Sequence, residues 1–221
     1  FQLMSDKHAV FITGGTGYMG SRLIPELLSL GHEVRALVRG GSERKLPPGS
    51  IAIKGDALDA STYAKHISPA DTFVHLVGVS HPSPAKAKEF RRIDYVAARE
   101  AFVAAKESGI KHFIYLSVAH PAPTMQAFVE VRMECEEVLR GTGMNATVIR
   151  PWYVLGPGHW WPYLLIPGYF VARLIPSTRE TALRLGLVTI KQMVCTLVWS
   201  VENPSAGTRV LGVQEIIYGA K

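Results

Sequence analysis

Short apolar runs alternate along the chain with segments whose apolar residues recur every three or four positions. The runs predict strands and the periodic segments predict helices. The predicted strands span residues 9–13, 33–38, 50–54, 72–77, 112–117 and 146–150. The predicted helices span residues 19–30, 61–67, 86–108 and 125–140. This alternation predicts an α/β fold, a doubly wound parallel sheet with helices on both faces.

The pattern changes after residue 150. Residues 151–185 are rich in proline, glycine and aromatic side chains, which predicts a small, loop-rich cap. A strand edge and a helix are predicted over residues 188–201, and a late strand over 208–213. We expect one domain over residues 4–221, to which residues 151–221 add the cap. The three residues before Met4 are interpreted as the remnant of an expression tag.

A glycine-rich turn joins the first predicted strand to the first predicted helix, and it reads TGGTGYMG over residues 13–20. Gly14 suits a tight turn, Gly17 lets the backbone approach a pyrophosphate, and Gly20 lets the helix pack on the strand. Backbone N–H groups and the positive end of the helix then face the phosphates. We therefore expect Thr16, Tyr18 and Met19 to bind a dinucleotide with these glycines. The alternative is a tight turn beside an empty crevice.

The residues that follow the next strands extend this site. Arg39 stands where an NAD site usually has a carboxylate, and an arginine there accommodates the 2′-phosphate of NADP. NADP is thus favoured over NAD, with an ordinary strand-end arginine as the alternative. Asp56, next to Ala57, could accept a hydrogen bond from adenine or simply cap a turn. Gly78 lets the backbone run close to a cofactor, or gives the loop flexibility.

Together these features resemble an atypical or extended short-chain dehydrogenase/reductase of the NAD(P)-binding, NmrA-like or NAD-dependent epimerase-like kind. The resemblance covers residues 7–158 and is carried by five segments in order, the glycine turn, Gly55-Asp56, VHLVG over 74–78, Tyr115-Leu116-Ser117, and RPWYVLGPG over 150–158. It implies a Rossmann-type fold and a nicotinamide cofactor, with Pro151 beside that cofactor. It does not imply one particular reaction.

The same resemblance implies an acid/base tyrosine, and a lysine four residues later, on the helix after the fifth strand. Phe128 and Arg132 stand at these positions. Phe128 has no proton to give, whereas Arg132 can bind a ribose or phosphate without being deprotonated. Ser117 matches a hydroxyl that orients the substrate, or is a strand-end turn serine. Tyr153 is the leading alternative proton donor.

Two weaker proton donors, Tyr115 and His120, lie at or just after the fifth strand. Aromatic residues crowd the predicted cap, namely Trp152, Tyr153, Trp160, Trp161, Tyr163, Tyr169 and Phe170. They predict an apolar or aromatic small-molecule ligand beside the cofactor. A second small core, a homodimer contact, or contact with a membrane surface or protein partner are the alternatives.

Composition narrows the class of protein. The net charge of +6 comes from scattered basic residues, which suits a phosphate-rich cofactor better than nucleic acid. The two cysteines, Cys135 and Cys195, have no disulfide or metal-ligand spacing, so we expect a cytoplasmic protein without a metal. No targeting segment is expected, and the apolar stretch 160–176 is too interrupted to span a membrane.

Three functions follow from these observations. The first is an NADPH-dependent oxidoreductase, because a quinone or flavin can take a hydride and gain its proton from water or a weak donor. The second is a non-catalytic NADP-binding redox sensor, or an assembly or regulatory protein. The third is a sugar-nucleotide epimerase or dehydratase, against which Phe128 and the short C-terminal part both argue.

Overall fold

The computed structural model describes residues 7–158 and 161–219. The strands are β1 Ala9–Thr13, β2 Glu33–Val38, β3 Ile51–Lys54, β4 Thr72–His75, β5 His112–Leu116, β6 Ala146–Ile149, β7 Tyr153–Leu155, β8 Leu187–Thr189 and β9 Thr208–Leu211. The α-helices are α1 Gly20–Ser29, α2 Ala87–Glu89, α3 Val96–Glu107, α4 Gln126–Gly141, α5 Ile166–Leu174, α6 Pro176–Arg184, α7 Ile190–Glu202 and α8 Val213–Tyr218.

The main sheet confirms the predicted fold. Its seven strands are parallel and lie in the order β3-β2-β1-β4-β5-β6-β9. The strand order reverses between β1 and β4, whose last residues, Thr13 and His75, are paired. Ligands of such sheets bind beyond the carboxyl ends of the strands at this reversal.

An apolar core lies on each face of the sheet. Successive residues of a strand point to opposite faces, so Phe11 joins one core while Val10 and Ile12 join the other. On the first face, Phe11, Phe73 and Phe113 form a row of rings with centroids 5.1 and 5.0 Å apart. That row packs against α3 and α4, whereas the second core packs against α1 and α7. Both faces are thus buried, which holds the strand ends in place.

The C-terminal region is more regular than the predicted loop-rich cap. It contains α5 and α6 and a second sheet, in which β7 and β8 pair in parallel. Pro167 and Pro176 are compatible with these helices because each lies at a helix start, where a missing N–H costs little. The late strand, β9, is the seventh strand of the main sheet, and α7 packs on that sheet.

The long helix predicted over 86–108 is interrupted. A π-helical segment, Phe90–Tyr95, separates α2 from α3 and carries a fully buried acid, Asp94. Such segments inside helices often occur at functional sites. The short helix predicted over 61–67 is instead two 3₁₀ turns, Ala60–Thr62 and Ala64–His66.

Candidate functional site

In the glycine turn between β1 and α1, neighbouring backbone atoms lie so close to Gly14 and Gly20 that neither position has room for a side chain. Gly14 has a φ of +80°, and a Cβ there would lie 2.9 Å from the carbonyl carbon of Leu76. A Cβ on Gly20 would lie 2.5 Å from the carbonyl oxygen of Gly14. The Gly17 N–H donates to that same oxygen at 3.0 Å. Glycine is therefore required where the turn meets β4 and where α1 meets the turn.

The N-terminus of α1 is open to an anion. Met19, at its N-cap, accepts no side-chain hydrogen bond from the helix, and the first turn contains no acidic residue. The N–H groups of Ser21, Arg22 and Leu23 already donate to carbonyls of the turn, so the attraction for phosphate at this end comes from the helix dipole. The turn and the helix end thus fit the pyrophosphate of a dinucleotide.

A cleft of about 530 Å³ runs from this turn across the ends of β2, β3 and β4. Predicted cofactor residues that line it are Gly14, Thr16, Gly17, Arg39, Asp56, Ala57 and Gly78. The structure therefore brings most of the predicted cofactor residues to one place. The Asp56 side chain also accepts a 3.0 Å hydrogen bond from the Leu58 N–H, as the turn-cap alternative expects.

The cleft lining also includes polar residues that the sequence reasoning missed, among them Ser42, Lys45, Ser80, Lys86 and Glu89. Ser42 and Lys45 follow Arg39 in the loop after β2 and line the same end of the cleft. The acid of that loop, Glu43, pairs instead with Lys54 at 3.2 Å. Because the loop has no apolar periodicity, the sequence offers only proximity to Arg39 as a signal for Ser42 and Lys45.

Besides Arg132, four predicted cofactor residues lie outside the lining of this cleft. Met19 packs against the second core, and Gly20 is buried under the turn. The Tyr18 hydroxyl lies so close to Gly156 that a Cβ at that position would collide with it. Pro151 is buried, and its carbonyl accepts from the Ala119 N–H at 2.8 Å. These residues support the walls of the site.

Arg132, the other residue predicted to bind the cofactor, lies in a buried ion pair. Its Nη2 is 2.5 Å from Oδ1 of Asp94, and its Nη1 donates to the Leu116 carbonyl at 2.8 Å. The second Asp94 oxygen accepts from the Val79 N–H at 3.0 Å. A Cβ on Gly78 would collide with the guanidinium. Arg132 therefore supports the cleft wall from behind and does not line it.

Asp94 was also missed by the sequence reasoning. It lies four residues after the buried Phe90, and that spacing places an acid on an apolar helical face. A buried acid requires a partner, and this spacing was the available signal. The partner, Arg132, comes from a distant helix.

Ser117 donates a 2.6 Å hydrogen bond to Oε1 of Glu136, which is 1 % exposed. Glu136 also accepts from Arg150 Nε at 3.0 Å and from Arg140 Nη2 at 2.9 Å. Burial would raise the pKa of the Glu136 carboxyl, but the bonds from Arg150 and Ser117 outweigh it and leave that pKa below its ordinary value. The predicted substrate-orienting hydroxyl of Ser117 is thus occupied by a buried carboxylate.

The remaining candidate proton donors differ in access. Tyr115 is fully buried, and burial raises the pKa of its phenol. His120 lies with Nε2 3.5 Å from Oε1 of Glu136, and burial, followed by Arg150, lowers its pKa. Tyr153 is partly exposed, and burial of the rest of its side chain raises its pKa. Tyr153 therefore keeps its proton at neutral pH and is partly exposed, but it does not line the cleft.

The predicted aromatic cap divides into two parts. The ring centroids of Trp152 and Tyr153 lie 5.3 Å apart, and Trp152 and Tyr169 pack against the second core of the main sheet. Tyr163 and Phe170 are exposed. Trp160 and the side chain of Trp161 lie outside the described residues.

The described residues contain neither a metal-binding cluster nor a helix able to span a membrane. Residues 7–158 and 161–219 contain no group of three His, Cys, Asp or Glu side chains that could hold a metal ion. Among the helices of that same part of the chain, none has the length and apolar character needed to cross a bilayer.

Comparisons with known proteins agree with this geometry. The chain is 25% identical over 212 residues to the ceramide reductase of Caulobacter vibrioides, covering 95% of this chain and 64% of that protein. It is 24% identical over 168 residues to a 4-hydroxy-2-methyl-3-oxo-4-farnesyl-3,4-dihydroquinoline-1-oxide ketoreductase of Stigmatella aurantiaca, covering 66% and 50%. The chain thus spans less than two thirds of either relative.

Among solved structures, the Bordetella bronchiseptica enzyme WbmH in complex with NAD+ shares the fold. The TM-score is 0.70 at 21% identity, covering 95% of this chain and 79% of that one. A family described as NAD(P)H-binding matches residues 14–156, which are more than half of the chain and contain residues 14–20 of the glycine turn and the lining of the cleft. The chain therefore belongs to this NAD(P)H-binding family.

Proposed function

We propose that the protein is an NADPH-dependent oxidoreductase that acts on an apolar or planar acceptor. The observation that carries the cofactor choice is the loop after β2, from which Arg39, Ser42 and Lys45 all line the cleft. Two cations and a hydroxyl suit the 2′-phosphate of NADP, whereas the ribose 2′-hydroxyl of NAD calls for a carboxylate. Asp56 and Ala57 would face the adenine, and the turn at Gly14 and Gly17 would hold the pyrophosphate.

The cofactor assignment is tested by replacing Arg39 with alanine. We expect the affinity for NADPH to fall about tenfold or more, because a hydrogen bond to a charged group contributes about 1.5–3 kcal/mol. The affinity for NADH should change little, since NADH has no 2′-phosphate. Calorimetric titration of both cofactors measures this, and Arg44→Ala is the control, because Arg44 is exposed in the same loop outside the cleft lining. Equal losses for NADPH and NADH would contradict the assignment.

When bound, a nicotinamide cofactor supplies a hydride. The residues of this chain then have to bind the acceptor and deliver a proton. Phe128 has no acidic proton to donate, and the guanidinium of Arg132 is paired with Asp94. Tyr153 is the group we assign to proton delivery, because its raised pKa keeps the phenol protonated and its side chain is partly exposed.

The acceptor class follows from this weak proton supply. A quinone-like or flavin-like acceptor can gain its proton from water or from a weak donor such as the Tyr153 phenol, so its reduction tolerates the absence of a catalytic tyrosine-lysine pair. The aromatic rings of Trp152, Tyr153 and Tyr169 offer an apolar surface for such a ligand. Two relatives are named as reductases of apolar compounds, a ceramide and a farnesyl quinoline oxide. These names support the proposed substrate class.

Consumption of NADPH with a panel of quinones, flavins and aldehydes tests the proposed reaction. We expect turnover with the planar acceptors and little with simple aldehydes. Tyr153→Phe should lower kcat by about a hundredfold for any acceptor that needs a protein proton. Tyr169→Phe is the matched control, because it also removes one phenolic hydroxyl from the set of rings formed by Trp152, Tyr153 and Tyr169.

Binding of NADPH without catalysis is the second candidate function. It is favoured by one observation, that Ser117 and Arg132 both make buried polar contacts outside the cleft lining. Tight NADPH binding with no consumption in any acceptor class would replace the oxidoreductase by this sensor or regulatory function.

A further inference from the structure

Helix α5 is apolar but unburied. Its nine residues read IPGYFVARL, with Arg173 as the single charged residue, and none of the nine is buried. Ile166, Phe170 and Leu174 recur at intervals of four and form one stripe. Phe170 is 66% exposed and Leu174 is 69% exposed. An apolar helix usually buries such a stripe against another element.

The residues on either side of this stripe extend it. Six exposed apolar residues form what we call the apolar cap face, namely Leu164, Ile166, Phe170, Val171, Leu174 and Ile175. Leu164 is 83% exposed, the largest value among them. Tyr169, on the same helix, packs inward against the core. An exposed apolar surface of this kind marks a site of interaction.

The edge of the apolar cap face is basic. Arg173 and Arg179 line a cleft of about 570 Å³ together with Leu174, Pro176 and Leu183, and no acid is among these described lining residues. The acid of α6, Glu180, lies 3.8 Å from Arg184. Arg179, which is exposed, and Arg173, which is partly exposed, lie beside the exposed Leu174, and this combination suits an anionic headgroup lying above acyl chains.

We propose that the apolar cap face docks on the surface of an anionic lipid bilayer. Interfacial helices combine an apolar face that enters the headgroup boundary with basic residues that bind anionic lipids. The nine residues of α5 are far fewer than the roughly 20 needed to span a bilayer, so the helix lies in the interface. The net charge of +6 adds long-range attraction to such a surface.

A second copy of the chain fits this face less well. In a twofold dimer the same patch meets itself, and the described residues of the cap face and its basic edge offer Arg173 and Arg179 no acid to pair with. Like charges placed opposite each other in an interface cost affinity. A bilayer with anionic lipids instead offers the opposite charge.

Co-sedimentation with lipid vesicles tests the proposal independently of any reaction. The vesicles are phosphatidylcholine alone, or phosphatidylcholine mixed with phosphatidylglycerol. We expect the protein to sediment with the mixed vesicles and much less with phosphatidylcholine, and added salt should weaken the binding. The double variant Phe170→Glu, Leu174→Glu should lose at least about tenfold in partition coefficient, and Arg179→Glu should lose binding selectively to the anionic vesicles.

The matched control is the double variant Val103→Glu, Tyr218→Glu. Both residues are exposed and lie on other helices, so this control adds the same charge away from the cap face. This control variant should keep most of the binding to the mixed vesicles. Thermal melts test whether every variant is folded. No binding of the wild type to mixed vesicles, or equal losses in both double variants, would overturn the proposal. So would a wild-type dimer in analytical ultracentrifugation that Phe170→Glu, Leu174→Glu dissociates, because the occupant would then be a second copy.

Discussion

At the scale of single residues, this protein pairs its buried acids with arginines from distant segments. Asp94 pairs with Arg132, and Glu136 pairs with Arg150 and with Arg140, one turn further along α4. Breaking such a pair costs more than the pair itself contributes, because the remaining charge stays buried without a partner. Arg132, which the resemblance places at the position of the catalytic lysine, therefore belongs to a buried ion pair in this structure.

Glu136→Gln tests this view. We expect the free energy of unfolding to fall by about 2 kcal/mol at neutral pH, below the usual cost of a broken buried pair because Arg140 and Arg150 are partly exposed. The folded carboxyl has a pKa below its ordinary 4.5, so its contribution is complete above pH 4.5 and is lost as the pH falls through the folded pKa. Urea unfolding at several pH values measures both effects. Glu137→Gln, exposed and adjacent on α4, is the control, and a variant as stable as wild type at pH 7 would contradict the prediction.

At the scale of elements, the sequence predicts what depends on local periodicity. The six N-terminal strands, α1 and α4 lie within a few residues of their predicted bounds, because alternation and glycine stops are local signals. Helices α5 and α6 escaped prediction because Pro167 and Pro176 indicate breaks in a sequence while they begin helices in the structure.

The residues of the candidate site fall into two groups, those that the local sequence pattern predicts and those that depend on tertiary packing. Gly14, Gly17 and Arg39 follow predicted strands, so their meeting at one sheet edge could be predicted. The Ser117–Glu136 and Asp94–Arg132 contacts could not, because each joins residues from separate elements whose packing is set by tertiary structure. A candidate catalytic residue can thus be found by position, whereas the direction of its side chain depends on partners that periodicity does not reveal.

At the scale of the whole molecule, the main sheet buries two histidine side chains in their neutral form. His75 is fully buried, with Nδ1 2.8 Å from Thr13 Oγ1, and burial, followed by Arg132, lowers its pKa to about 3. His112 has Nε2 3.0 Å from Thr147 Oγ1, and burial, followed by Arg209, lowers its pKa to about 4. Both imidazoles are neutral in the folded protein at neutral pH. Folding therefore excludes protons that the unfolded chain would bind.

This exclusion predicts a loss of stability in mild acid. Because the folded pKa values lie below the ordinary 6.5, the unfolded chain binds more protons between pH 6.5 and pH 4. Stability is then complete above pH 6.5 and falls with decreasing pH, at up to about 1.4 kcal/mol per pH unit for each histidine. His112→Gln should reduce the pH dependence of the free energy of unfolding by the contribution of one histidine, whatever the substitution does to stability at pH 7. Urea unfolding between pH 7 and pH 4.5 measures this dependence. His66→Gln, at an exposed position, serves as the control, and an unchanged slope in His112→Gln would show that proton exclusion by the sheet does not govern acid stability.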